Sequence, residues 1–143
     1  MKIDVLRLKE DKTEHFQESL TPAEFDLDNS EVKYKGNICL STDATKEKQM
    51  LFTKTHFTAT AEFICSRCLK EYVSKIERDF NIDYPLVEAG QFIDVTKNIR
   101  EEIILDYPIK FLCKPDCRGL CPKCGKDLNK EKCNCQMKTQ FTE

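Results

Sequence analysis

Cysteine is the residue type with the most evident chemistry in this sequence, because nine cysteines occur among its 143 residues. Eight of them form close pairs, which are Cys65 and Cys68, Cys113 and Cys117, Cys121 and Cys124, and Cys133 and Cys135. A structural zinc ion is held by four ligands that usually come as two such pairs. The spacing therefore predicts bound zinc and supplies ligands for two closed tetrahedral sites.

One of these pairs also has the form of a zinc knuckle, a tight turn that directs two thiolates to one metal ion. It reads Cys121-Pro122-Lys123-Cys124-Gly125, and its glycine stands where a positive φ is often needed. The chain from Cys113 onward offers few apolar side chains, chiefly Leu120, Leu128, Met137 and Phe141. Metal binding, worth ~10 kcal/mol or more in small zinc domains, would therefore have to stabilise this segment.

The cysteines can be grouped in more than one way. The favoured arrangement has one site of Cys65, Cys68, Cys113 and Cys117 and another of Cys121, Cys124, Cys133 and Cys135. The rival is a single site in the tail, with Cys65 and Cys68 left as thiols or bound only in some states. Cys39 lies on the polar face of a predicted strand and is interpreted as a bystander.

A redox role for Cys65 and Cys68 is a separate hypothesis. A thioredoxin-like pair opens a helix in a βαβ unit, whereas β-like sequence lies on both sides of this pair. His15 and His56 are far in sequence from the tail cysteines and are interpreted as surface residues. The sequence has no nucleophile motif, and an all-cysteine site gives the metal no open position. We therefore predict no enzymatic activity and no small-molecule substrate.

Charge is distributed unevenly along the chain, whose formal net charge is −2. Residues 110–143 hold eight of the 23 Lys/Arg and four of the 25 Asp/Glu, a net of +4, which leaves −6 for residues 1–109. The basic tail predicts contact with phosphate groups, with Arg118, Lys123 and Lys126 as candidates, through the backbone of structured RNA. The alternative is that these cations only balance the negative charge of zinc thiolate sites.

The compartment is predicted from two features. The sequence has no long apolar run, and its first residues lack the apolar region of a signal peptide. Clustered cysteines favour metal over disulfides in a reducing compartment, and the odd total of nine argues against a complete disulfide framework. We therefore expect a cytoplasmic protein without a membrane contact.

The elements that must position the cysteines follow from periodicity. Apolar residues alternate over 32–42, 51–63 and 72–84, which predicts three strands, the first two joined by a polar turn at 43–48. Thr21 and Pro22 predict a helical turn, and a main helix is predicted over 96–106 with Asp94 or Thr96 as its cap. The predicted class is α+β. Its antiparallel β-rich body (1–109) carries the Cys65–Cys68 knuckle and the helix, and a zinc-ribbon-like tail (110–143) packs on it.

Three blocks of the sequence carry a family resemblance. They are Cys65-Ser66-Arg67-Cys68-Leu69, the run Glu101-Glu102-Ile103-Ile104-Leu105-Asp106-Tyr107-Pro108, and the tail Cys117-Arg118-Gly119-Leu120-Cys121-Pro122-Lys123-Cys124-Gly125-Lys126-Asp127-Leu128-Asn129 closing with Cys133-Asn134-Cys135. In order and spacing they resemble the YceD family, also called large ribosomal RNA subunit accumulation protein. The resemblance implies a cytoplasmic, non-catalytic factor needed for normal levels of 23S ribosomal RNA.

The partner implied by this resemblance is large-subunit precursor RNA or a ribosomal protein. A competing class is a zinc-ribbon module that binds only proteins, for instance in transcription, and the acidic body favours it. The third class is the thiol oxidoreductase considered above.

Overall fold

The computed structural model describes residues 1–27, 29, 31–87 and 89–135. Its elements in chain order are β1 (Lys2–Asp4), β2 (Thr13–Leu20), α1 (Pro22–Phe25), β3 (Val32–Glu47), β4 (Met50–Ile64), β5 (Glu71–Pro85), β6 (Phe92–Asp94) and α2 (Val95–Leu105). The prediction of a β-rich antiparallel chain with few helices is confirmed. Met137, Phe141 and the rest of the tail beyond residue 135 lie outside the described residues.

A four-stranded antiparallel sheet in the order β2-β3-β4-β5 forms most of the molecule, and β1 and β6 pair separately. The alternating residues explain its two faces, because successive side chains on a strand point to opposite sides. Ile38, Leu40, Leu51 and Phe57 are fully buried on the inner face. The outer face carries the polar residues of the same strands.

The predicted polar turn at 43–48 is wrong, because β3 continues to Glu47 and pairs there with Met50. The polar-looking residues keep the strand alternation, with Thr42 and Ala44 pointing into the core. Thr42 is tolerated inside because its hydroxyl hydrogen-bonds the Thr55 hydroxyl at 2.9 Å. The turn is therefore reduced to the two residues between β3 and β4.

Both predicted helices are present, and α2 begins at Val95, one residue before its predicted start. Thr21 caps α1 in a capping box with Glu24, and Asp94, not Thr96, is the N-cap of α2, accepting a hydrogen bond from the Thr96 amide at 3.2 Å. Val95, Ile99 and Ile103 of α2 are buried in the same cluster as the inner face of the sheet. No helix among the described residues is long and apolar enough to cross a membrane.

The chain leaving α2 is directed back to the turn between β4 and β5. The Tyr107 hydroxyl hydrogen-bonds the Tyr34 hydroxyl at 2.6 Å, and the Phe111 ring lies 4.9 Å from the Phe63 ring, centroid to centroid. These contacts fix the chain just before Cys113. They thereby bring the second cysteine pair of the chain to the first.

Candidate metal centres

The turn between β4 and β5 holds Cys65 and Cys68 in knuckle geometry. The Cys65 amide donates to the Lys70 carbonyl at 2.8 Å, and the Leu69 amide donates to the Cys65 carbonyl at 2.9 Å. Leu69 has φ 58°, which is the left-handed conformation that glycine adopts most easily. The strand-to-strand turn therefore directs both thiols to one side.

The predicted knuckle in the tail repeats this hydrogen-bond pattern. The Cys121 amide donates to the Lys126 carbonyl at 2.8 Å, and the Gly125 amide donates to the Cys121 carbonyl at 2.9 Å. Gly125 has φ 72° and occupies the place that Leu69 takes in the first turn. Two separate parts of the chain thus build the same local structure around a Cys-x-x-Cys pair.

The first cysteine cluster consists of Cys65, Cys68, Cys113 and Cys117, whose Sγ atoms all lie within 4.8 Å of one another. The Sγ distances are 3.7 Å from Cys65 to Cys117 and 3.6 Å from Cys68 to Cys113. These exceed a disulfide bond of about 2.05 Å. They match the edge of about 3.8 Å expected for a zinc tetrahedron with Zn–S bonds of about 2.3 Å.

The second cysteine cluster consists of Cys121, Cys124, Cys133 and Cys135 and meets the same 4.8 Å limit. Its Cys121 and Cys133 Sγ atoms are 3.4 Å apart. This cluster is less enclosed, because Cys124 is exposed and Cys133 and Cys135 are half-buried, whereas Cys65, Cys68 and Cys117 of the first cluster are buried. Each cluster could hold a metal ion.

The pKa values of the thiols differ within each cluster, and one thiol of each knuckle ionises easily. Burial opposes ionisation of Cys65, but backbone amides of Cys68, Cys113 and Arg67 hydrogen-bond its sulfur and lower its pKa to about 6. The amides of Cys124 and Lys123 lower the pKa of Cys121 to about 6 in the same way. A knuckle thus favours its first thiolate before any metal arrives.

One further thiol of each cluster has a raised pKa instead. Burial and the neighbouring cysteines raise the pKa of Cys113 to about 12, and hydrogen bonding to Cys124 together with burial raises the pKa of Cys135 to about 11. Four sulfurs this close cannot all ionise without a compensating cation. A divalent ion that prefers thiolate ligands provides that compensation, so the donor set fits a structural zinc.

The tail is attached to the first knuckle by backbone contacts on both sides. The Ser66 amide donates to the Phe111 carbonyl at 2.7 Å, and the Leu120 amide donates to the Arg67 carbonyl at 3.2 Å. The Arg67 guanidinium also donates to the Cys117 carbonyl at 2.8 Å. The first cluster therefore lies where the sheet and the tail meet.

A polar network that the sequence analysis missed joins the first cluster and its knuckle to residues 127–129 of the tail. The Asn129 amide group donates to Cys117 Sγ at 3.4 Å, and its carbonyl accepts from the Arg118 amide at 2.9 Å. Asp127 accepts from the Asn129 amide at 3.0 Å and forms an ion pair with Lys70 at 2.6 Å. Lys70, with the Asn129 amide, lowers the pKa of Asp127 to about 2. The sequence shows two polar residues in the Asp127-Leu128-Asn129 block, but no neighbouring residue indicates that their partners are Lys70 and Cys117.

Gly119 lies close against the Arg67 backbone in this attachment. Its φ is 74°, and a Cβ there would lie 2.9 Å from the Arg67 carbonyl oxygen. We expect Gly119→Ala to lower the free energy of unfolding of the metal-loaded protein by about 2–3 kcal/mol, from left-handed strain plus this clash. Gly125→Ala is the matched control, because Gly125 has φ 72° but open space around it, and should cost about 1 kcal/mol. Equal losses in denaturant unfolding would contradict the close approach.

The three cations proposed for partner binding all lie on the tail surface. Arg118, Lys123 and Lys126 are exposed, and Lys126 Nζ lies 3.6 Å from a Glu131 carboxylate oxygen. This ion pair is itself exposed and therefore weak. All three side chains therefore lie at the surface of the protein.

The two histidines lie away from both clusters, on the outer face of the sheet. His15 Nδ1 lies 2.7 Å from Asp43 Oδ1 and its Nε2 lies 3.3 Å from Ser41 Oγ, while His56 Nδ1 lies 2.8 Å from Asp79 Oδ1. Ser41, His15 and Asp43 follow the order of a hydrolase triad. They stand on an exposed face of the paired strands β2 and β3, whereas acyl transfer needs an enclosed site with oxyanion donors.

Comparison with known proteins confirms the resemblance seen in the sequence. The family described as "Large ribosomal RNA subunit accumulation protein YceD" matches residues 81–142. A curated relative from Arabidopsis thaliana, "Large ribosomal RNA subunit accumulation protein YCED homolog 1, chloroplastic", is 46% identical over 43 residues, 30% of this chain and 13% of the relative. The protein of the same name from Zea mays is 34% identical over 70 residues, 48% of this chain and 23% of the relative.

An uncharacterised protein of Mycobacterium bovis is also similar, with 42% identity over 48 residues, 31% of this chain and 23% of that protein. The matches therefore span less than a quarter of the length of these curated relatives. No solved structure matches the chain.

Proposed function

We propose that this protein is a non-catalytic factor that supports accumulation of 23S ribosomal RNA and assembly of the large ribosomal subunit. The observation that carries the proposal is the position of the family match, residues 81–142, which includes six of the eight clustered cysteines and the basic tail. The name of the family describes ribosomal RNA accumulation and no reaction. The protein would act in a reducing compartment, the cytoplasm, where free clustered thiols persist.

We also propose that each cluster holds one structural zinc ion. The ligands would be Cys65, Cys68, Cys113 and Cys117 at the first site and Cys121, Cys124, Cys133 and Cys135 at the second. All-thiolate donor sets with Sγ separations of 3.4–3.7 Å support this assignment. Zinc would fold residues 110–143 as a ribbon-like tail and hold it on the body, residues 1–109.

The tail would bind the partner, which is precursor RNA of the large subunit or a ribosomal protein. Its net charge of +4 against −6 for residues 1–109 favours the RNA backbone, since phosphate contacts need cations and no particular base. Arg118 is exposed on the segment between the two clusters, and Lys123 and Lys126 are exposed on the knuckle of the second cluster. The two zinc sites would hold this segment and the knuckle in one conformation.

Reversing these three charges tests the proposal. The Arg118→Glu, Lys123→Glu, Lys126→Glu variant should bind a 23S precursor transcript more weakly. The slope of log K against log salt should become shallower by about 0.9 for each phosphate that the variant no longer neutralises. Filter binding over a salt series measures both quantities. Sedimentation of the tagged protein with ribosomal particles gives the corresponding result in cells.

The matched control reverses three exposed lysines of the body, Lys9, Lys33 and Lys54, and so produces the same change in net charge. It should leave the salt slope unchanged. Unchanged RNA and particle association in the tail variant, with its metal content intact, would reject the patch. Charge balance of the zinc sites would then explain the basic tail.

A further inference from the structure

The strand β5 presents a long free edge. It pairs along its 15 residues with β4, and no described residue pairs with its other edge. A free edge of this length exposes a row of backbone donors and acceptors that can pair with a strand from another chain. Proteins usually keep such edges short or cover them.

Apolar surface accompanies this edge. A groove of about 370 Å³ lies between β5 and residues 103–115, and five consecutive residues of β5, 72–76, line it. Val73, which lines the groove, is 61% exposed. Leu105 and Ile109 belong to the opposing segment but not to the groove lining, and they are 79% and 100% exposed. Exposed apolar groups concentrated beside a free strand edge are typical of an interaction surface.

We propose that the edge is covered by β5 of a second copy of this chain, paired antiparallel about a two-fold axis at Ile76. The two sheets would then join into one continuous sheet. Residues equally distant from Ile76 lie opposite each other in this register. Lys75 faces Glu77 of the second copy on the outer face, and Tyr72 faces Phe80 of the second copy on the inner face.

Charge complementarity supports this choice of partner. Lys75 and Glu77 already form an ion pair within one chain on the outer face of β5. Across the axis, Lys75 of each copy also faces Glu77 of the other copy. The two lysines and two glutamates then form a square in which neighbouring charges have opposite signs. Opposite charges on directly facing residues stabilise an antiparallel pair, and like charges destabilise it.

The same rule singles out the register. A two-fold axis perpendicular to the sheet must pass through a residue, because facing side chains share one side of the sheet. Axes at residues 74, 75 and 77 place Glu71 on Glu77, Lys75 on Lys75 or Glu77 on Glu77. Axes at residues 78–81 likewise oppose two acidic or two basic side chains. Among the registers that pair at least nine residues of each β5, whose axes lie at residues 75–81, only the axis at Ile76 avoids a facing pair of like charges.

A charge swap tests this interface in the full metal-loaded chain. Sedimentation equilibrium over a concentration series should show a reversible species of twice the 16.7 kDa chain mass. Lys75→Glu makes all four charges negative and should raise the dimer dissociation constant by about tenfold or more. Glu77→Lys should do the same with four positive charges. The double variant Lys75→Glu, Glu77→Lys restores the alternating square and should restore the dimer.

The control is Lys54→Glu, an equal charge change on the same face of the sheet but on an interior strand. It should leave the dimer intact. A chain that stays monomeric, or gains mass only with RNA or a peptide, would overturn the proposal. So would a dimer that tolerates Lys75→Glu, one equally weakened by Lys54→Glu, or one that the double variant does not rescue.

Discussion

Replacing Cys65 with serine should release two distant segments of the chain together, the turn at residues 65–70 and the strap at residues 108–118. Cys65 Sγ lies 3.7 Å from Cys117 Sγ, and the adjacent Ser66 amide is bonded to the Phe111 carbonyl. Removing one thiolate leaves the first cluster with three of its four proposed ligands. The metal that would join sheet and tail is then released, and the hydrogen bonds around it remain as isolated weak interactions.

Hydrogen exchange measures this release segment by segment. Amides of both segments should exchange at least about a hundredfold faster, which corresponds to about 2.7 kcal/mol of lower local stability. The core of β3 and β4 should keep its protection, because it rests on buried apolar side chains. Metal analysis of the same sample should show one equivalent fewer than the parent protein.

Two further variants control for the removal of a thiol. Cys133→Ser should loosen only the distal tail, because Cys133 belongs to the second cluster. Cys39→Ser should change neither exchange nor metal content, since Cys39 is exposed and belongs to neither cluster. Unchanged protection at residues 108–118 in Cys65→Ser would exclude a metal ion shared between sheet and tail.

The parts of this fold that the sequence predicts are those decided by local physics. Alternation fixes which side chains of β3, β4 and β5 face inward, and a capping threonine before a proline fixes α1. Gly125 marks a left-handed position because glycine is the residue that adopts it without strain. Each of these features depends on a few neighbouring residues.

The parts that the sequence does not predict depend on partners far along the chain. Ala44 lies in the predicted turn, and only its pairing with Thr53 of β4 makes it a core residue of a longer strand. Leu69 takes the place of glycine in the first knuckle, because contacts with the rest of the fold can stabilise a conformation that its side chain disfavours. Asn129 has no assignable role until folding brings Cys117 beside it.

The sequence predicts the grouping of the cysteines only in part. Close spacing identifies the pairs, but which pairs share a site depends on where the chain goes after α2. The contacts of Tyr107 and Phe111 bring Cys113 to the knuckle at Cys65, and the structure then assembles two sets of four thiols. That these sets bind metal stays a prediction, and it has a direct test.

Native protein should carry two zinc ions per chain, one for each cysteine cluster, and should release them in a fixed order on titration with a chelator. The second cluster should release its ion first, because Cys124 is exposed and two of its other thiols are only half-buried. Cys65, Cys68 and Cys117 of the first cluster are 0%, 4% and 1% exposed, so a chelator reaches that metal only after the strap opens. Native mass spectrometry should therefore show a one-zinc species, with the first removal at least about tenfold faster than the second.

Hydrogen exchange on the one-zinc species identifies which cluster still holds its metal. If the first cluster does, the turn at 65–70 and the strap at 108–118 keep full protection while the distal tail exchanges freely, and removal of the second ion exposes both. Protection that disappears first at residues 108–118 would reverse the order and contradict the burial argument. A native content near one equivalent would support a single site in the tail, and less than about half an equivalent would reject zinc altogether, because a structural site binds its ion too tightly to be isolated mostly empty.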